Sequence, residues 1–174
     1  MSNNLIPNGD FSSGNFKHWI PKAYDTPMAV ELWESNYVAR MVGGRSSGQN
    51  LASETFSIAP GLFKFSFDVR APDSMPLEDT ADRRFHIQDH DKVANSPLLH
   101  AFLSYIVWAR HSDGSESNAW TGTVYVDAQK KQITVEGELP EGFTRADVHF
   151  GFPSDPFGNK GPYFLDNVQF VMQG

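Results

Sequence analysis

A chain of 174 residues without cysteine, carrying a formal net charge of −7, excludes disulfide and thiol chemistry at the outset. Nucleic acid and anionic membrane surfaces require clustered Lys and Arg. The only adjacent basic residues are the pairs Arg83-Arg84 and Lys130-Lys131, so no nucleic acid partner is expected.

The opening residues, Met1-Ser2-Asn3-Asn4-Leu5-Ile6-Pro7, lack the basic-then-apolar order of a secretory leader. The expectation is a cytoplasmic protein or one exported by a non-standard route. No apolar run approaches the ~20 residues of a membrane-spanning helix, so no membrane span is expected either. Fourteen Phe, five Tyr and four Trp favour strands, and fourteen Gly with eleven Pro supply the turns that many short strands need. Alternation of apolar and polar residues predicts strands over 29–34, 37–42, 51–58, 63–70, 99–110, 121–127, 132–138, 146–152 and 163–172. The clearest, Phe63-Lys64-Phe65-Ser66-Phe67-Asp68-Val69-Arg70, turns Phe and Val one way and charge the other. Breakers at Gly43-Gly44, Pro60-Gly61, Asp113-Gly114, Pro140 with Gly142, and 153–162 separate these segments. The expected fold is all-β: one antiparallel β-sandwich domain over 1–174, a jelly roll of about eight to ten strands.

Residues 72–97 break the pattern. This polar, charged stretch is read as a long loop or insertion with a short helix over 81–91, and connections of that length are usually functional. Within it His86-Ile87-Gln88-Asp89-His90 spaces two histidines for one helix face, but a catalytic zinc needs a third ligand, so solvated loop histidines are the reading. Gly44-Arg45-Ser46-Ser47-Gly48 matches the G-x-S-x-G spacing of serine hydrolases. That motif works only on a strand–turn–helix, and the following residues read as strand, so a Gly/Ser turn explains it.

The series Asn4-Leu5-Ile6-Pro7-Asn8-Gly9-Asp10-Phe11, followed by Gly14-Asn15-Phe16 and Trp19, resembles the N-terminal signature of carbohydrate-binding modules of families four and nine. Val148-His149-Phe150-Gly151-Phe152 and Tyr163-Phe164-Leu165-Asp166-Asn167-Val168 resemble their last two strands. Tyr37-Val38-Ala39-Arg40 and Pro60-Gly61-Leu62-Phe63 resemble an early strand and a Pro-Gly turn. The resemblance covers most of the chain outside 72–97. It implies a galactose-binding-domain-like, lectin-like jelly roll that binds an oligo- or polysaccharide on its concave sheet and performs no catalysis.

It also implies a structural calcium ion where the first and last strands meet, held by backbone carbonyls, a Glu after the Phe, and the Asp of the last strand. Here Asp166 matches, Ser12 stands at the Glu position, and Asp10 offers a replacement carboxylate. Calcium takes six to eight oxygen ligands. The competing reading makes Asp10 and Asp166 turn and capping residues.

Sugar recognition needs an aromatic face for the ring and polar groups for the hydroxyls. Alternation assigns Leu103, Tyr105, Val107 and Ala109 to the core, and Ser104, Ile106, Trp108 and Arg110 to the opposite face. It likewise turns Asp147, His149 and Gly151 outward, with Asp68 and Arg70 outward on 63–70. The resemblance places His149, with Arg145 before it, among ligand contacts. Where the family presents a Trp on 63–70 this chain has Asp68, and Trp108 is the candidate platform on a neighbouring strand. Trp33, Tyr24 and Trp120 stand in reserve. Two plainer readings remain open: Trp108 in the core, and Asp68 with Arg70 as an exposed ion pair of little worth. Glycoside hydrolysis would need two carboxylates across a cleft, for which only Asp68 with Asp147 is a candidate; Glu136, Glu138 and Glu141 read as a charged edge. A structural or interaction domain of the same fold, without sugar binding, is the alternative function.

Overall fold

The computed structural model describes residues 3–23, 27–41, 48–71, 101–126, 129–152 and 162–174. The expected long loop at 72–97, the helix at 81–91 with His86 and His90, Tyr24, and all of the Gly/Ser turn but Gly48 lie outside these residues. Among the described residues there is no helix, and so none long and apolar enough to cross a membrane.

Among the described residues eleven strands form two antiparallel sheets facing one another. In chain order they are β1 (Trp19–Lys22), β2 (Ala29–Trp33), β3 (Asn36–Met41), β4 (Gln49–Ser53), β5 (Phe56–Ser57), β6 (Gly61–Arg70), β7 (Ala101–His111), β8 (Ser117–Val126), β9 (Lys131–Leu139), β10 (Phe143–Phe152) and β11 (Tyr163–Met172). The first sheet runs β1-β4-β10-β7-β8 with β5 also on β10; the second runs β2-β3-β11-β6-β9. That is one strand beyond the expected eight to ten, and two more than the nine segments named from the sequence. The expected 51–58 strand is divided into β4 and β5, and β1 is new. Pro21 interrupts the strand signal of β1 and is tolerated there because β1 is an edge strand.

Alternation places the core. Phe63, Phe65 and Phe67 of β6 and Leu103, Val107 and Ala109 of β7 have no exposed surface, and β10 adds Ala146, Val148 and Phe150. Phe67 meets Phe150 of the facing sheet with centroids 4.9 Å apart, and Phe63 stacks on Phe170 of its own sheet at the same distance. Charged β9 is the edge of the second sheet, as Glu136 and Glu138 suggested.

In β11 the alternation changes phase. Tyr163 and Leu165 face inward, then Val168 and Phe170. The register on β6 shifts between Asp166 and Gln169, and Asn167 takes a left-handed φ of 50°. One extra residue, a β-bulge, produces that change. Beyond Leu165, where the pairing with β3 ends, the N-terminal segment bonds to β11. Leu5 N donates to Phe170 O (2.8 Å) and Val168 N to Gly9 O (2.8 Å). Asn4 donates through Nδ2 to Val168 O and accepts Phe170 N at Oδ1. Gly9 is required by this approach, since a Cβ there would lie 2.0 Å from Val168 O. Ile6 and Phe11 fill the core below, and the Trp19 indole N–H reaches Asn8 O at 3.0 Å. The opening signature is therefore a docking element of the fold.

Candidate functional site

The strand registers assemble a polar face on the outer side of the first sheet. Asp147 of β10 lies opposite Trp108 of β7, and Arg145 lies opposite Arg110. In the next row Ile20, Ala52, His149, Ile106 and Thr121 line up across five strands. The row after that holds Lys22, Asn50, Gly151, Ser104 and Thr123. A Cβ at Gly151 would meet nothing within 4 Å, so bare backbone floors that row beside His149. Trp108, His149, Arg110, Arg145 and Asp147, five of the seven residues expected to bind carbohydrate, thus share one surface.

Asp147 organises it. One carboxylate oxygen accepts from Arg110 and the other bonds Nε2 of His149. Burial alone would push the Asp147 carboxyl up, but the His149 and Arg110 hydrogen bonds and charges prevail and hold it below its ordinary range. The sequence turned Asp147 outward, and it does face out, yet it is only 5% exposed because Arg110 and His149 cover it. Trp108 is half-buried on the outer face, outside the core, with the Arg110 guanidinium carbon 5.9 Å from its ring centre. Arg145 is exposed.

Asp68 and Arg70 are not part of this face. Both sit on β6 in the second sheet, on the opposite side of the sandwich from Trp108 and His149. The expectation that Trp108 lies on a strand neighbouring 63–70 fails for the same reason, as does Asp68 with Asp147 as a carboxylate pair across one cleft. Alternation distinguishes inward from outward but does not say which sheet a strand joins, and the chain changes sheets between β6 and β7. Nor do Asp68 and Arg70 pair with each other on a solvated surface. Asp68 is 5% exposed and its Oδ2 accepts from Lys130 (2.9 Å) and Asn167 (2.8 Å). Arg70 lies 3.9 Å from Glu34 and stacks over Trp33 at 4.1 Å. Trp33, Glu34, Asp68, Arg70 and Lys130, with Phe164 and Asp166, line one depression. Trp33 is engaged there by Arg70 and by Phe164, 4.4 Å away, so it offers no free platform. Trp120 points inward against Phe63, 4.8 Å between centroids.

At the corner where the N-terminal segment meets β11, Asp10, Ser12 and Asp166 do line one depression. Asp10 Oδ1 accepts Ser12 N (3.1 Å) and Asp166 Oδ1 accepts Asn167 N (2.7 Å), which are the bonds of turn residues. Among the described residues no group of three His, Cys, Asp or Glu stands ready for a metal. The donor chemistry nevertheless suits a hard cation. Burial foremost, then the charges of Asp68 and Asp10, push the Asp166 carboxyl up to about 6, with the Asn167 amide and Lys130 opposing. A divalent ion would relieve that repulsion, and one or two carboxylates with backbone and hydroxyl oxygens suit calcium.

No family model matches the chain, and no curated protein matches it by sequence. Solved structures do match by shape. The enzymatically active domain of bacteriophage CBA120 tailspike protein 4 is similar with TM-score 0.64 at 13% identity, over 98% of this chain and 21% of that one. A family 61 carbohydrate-binding module in complex with β-1,4-galactotriose gives 0.63 at 13%, over 99% of this chain and 100% of the module. The family 22 module with its family 10 catalytic module from Clostridium thermocellum xylanase 10B, complexed with xylohexaose, gives 0.63 at 16%, over 100% of this chain and 29% of that one. The chain has the jelly-roll fold of carbohydrate-binding modules. Membership of families four and nine is not among these findings; at such identities the likeness establishes the fold alone.

Proposed function

We propose that this protein binds an oligo- or polysaccharide without catalysis, on the outer face of the first sheet. The observation that carries the reading is the register of β7 and β10, which gathers Trp108, Arg110, Arg145, Asp147 and His149 on one surface. Trp108 offers its face to the apolar side of a sugar ring. Asp147 fixes Arg110 and His149 for hydroxyl recognition, and the bare Gly151 row leaves room beside them. The fold shared with modules solved with galactotriose and xylohexaose supports the reading. Calcium at Asp10, Ser12 and Asp166 is a second part of the proposal; it would hold the N-terminal corner and lies on residues separate from the sugar face.

A glycan-array screen of the wild type and of Trp108→Ala tests this reading. Selective retention is expected, weakened about fivefold or more by Trp108→Ala, since stacking on an aromatic face contributes about 1 kcal/mol beyond the area it buries, with the melting temperature nearly unchanged. Silence of folded wild-type protein across the array would overturn the reading in favour of an interaction domain.

A further inference from the structure

We propose that the saccharide bound on this face is anionic, with its carboxylate or sulfate held by the facing pair Arg110 and Arg145. The inference rests on the reading of the face as a glycan surface and specifies the chemistry of its ligand.

The register sets the two arginines directly opposite on adjacent strands. Side chains so placed are in reach of one another, and like charges there are destabilising. A chain with 21 acidic and 14 basic residues has carboxylates to spare for such a position, yet none stands there. The one carboxylate in these rows, Asp147, is buried and already shared between Arg110 and His149. Glu54, just past β4, is bridged by His18 at 2.9 Å. Lys22 adds another cation at the β1 edge. Arg145 is exposed, and its side chain has no hydrogen-bond or ionic partner among the described residues.

The surplus is local and positive on a molecule that is acidic as a whole. Guanidinium forks match carboxylate and sulfate oxygens with two parallel hydrogen bonds. Trp108 stands beside Arg110 on β7, so a ring stacked on the indole carries its acidic substituent toward the arginines. Bulk attraction of any polyanion is opposed by the net charge of −7, so recognition must come from this short-range fit.

The test compares retention of a polyuronate, a sulfated dextran, their neutral parent glycans and single-stranded DNA on the full chain, with Arg145→Gln and Trp108→Ala. Melting curves verify the fold of each variant; Arg145 is exposed, so its replacement is expected to leave the fold intact. At least tenfold tighter retention of one acidic polymer over its neutral parent is expected, and the polymer retained tells carboxylate from sulfate. Arg145→Gln is expected to lower acidic retention about tenfold more than neutral retention. Equal or tighter binding of a neutral glycan, lost with Trp108→Ala, would overturn the acidic ligand while upholding the carbohydrate surface. Equal retention of DNA, or binding insensitive to Trp108→Ala, would reduce the pair to non-specific charge and overturn the inference. Retention of no polymer would overturn both readings.

Discussion

Asp147 and Asp166 are both carboxylates on outward positions of central strands, and their surroundings drive them apart. Asp147 has a hydrogen-bonding partner on each oxygen, Arg110 on one and His149 on the other, and its carboxyl is held low. Asp166 is half-buried, faces Asp68 directly across β11 and β6 and has Asp10 nearby, so burial first and those charges second raise its carboxyl from 3.8 to about 6. The linkage has a definite sign. A folded value above the unfolded one favours the native state fully below pH 3.8, and that contribution is lost as pH rises through about 6. In metal-free buffer, Asp166→Asn is therefore expected to raise the melting temperature at pH 7 and to make no difference below pH 3.8. Equal melting of variant and wild type at pH 7 would show that the carboxylate is not destabilised. The sequence identified both residues by number. It did not reveal that Asp147 would be covered by the side chains of Arg110 and His149, because that depends on cross-strand register.

The elements were legible to the extent that their period was regular. Phe63 to Val69 announces β6 residue by residue, and nearly every expected strand is present within a few positions. Three features escaped. Pro21 and the four-residue length hid β1. The bulge at Asn167 left no compositional mark, although it fixes where Asp166 points. Sheet membership was invisible, and so Asp68 and Arg70 were assigned to the wrong face. The docking of the N-terminal segment onto β11 depends on the smallest residue in it. Gly9→Ala drives a Cβ against the Val168 carbonyl, which is backbone and cannot swing aside. A loss of about 1–3 kcal/mol is expected, as for other overpacked sites, read as a drop of several degrees in melting temperature. An unchanged melt would mean that the segment does not stabilise the sandwich.

At the scale of the molecule the sandwich divides its work between two surfaces. The first sheet carries the proposed saccharide face; the second carries the Trp33–Arg70–Phe164 cluster and, at its N-terminal corner, the proposed calcium ligands. Binding of an ion to the folded state alone raises stability by mass action. Calcium is expected to raise the melting temperature, chelator to reverse it, and Asp166→Asn to abolish the difference without affecting glycan retention. A melt indifferent to calcium would leave Asp10 and Asp166 as turn residues and nothing more.

The hydrogen bonds that tie Asn4 to Val168 and Phe170 span sequence separations of 164 and 166. They join the two extremes of the described residues, so they close a very long loop. Contacts of such high order form late, and all-β domains dominated by them fold in milliseconds to seconds. The segment holding Ile6 and Phe11 must therefore wait for β11 before those side chains reach their places in the core. Until then their apolar surface lacks its native cover.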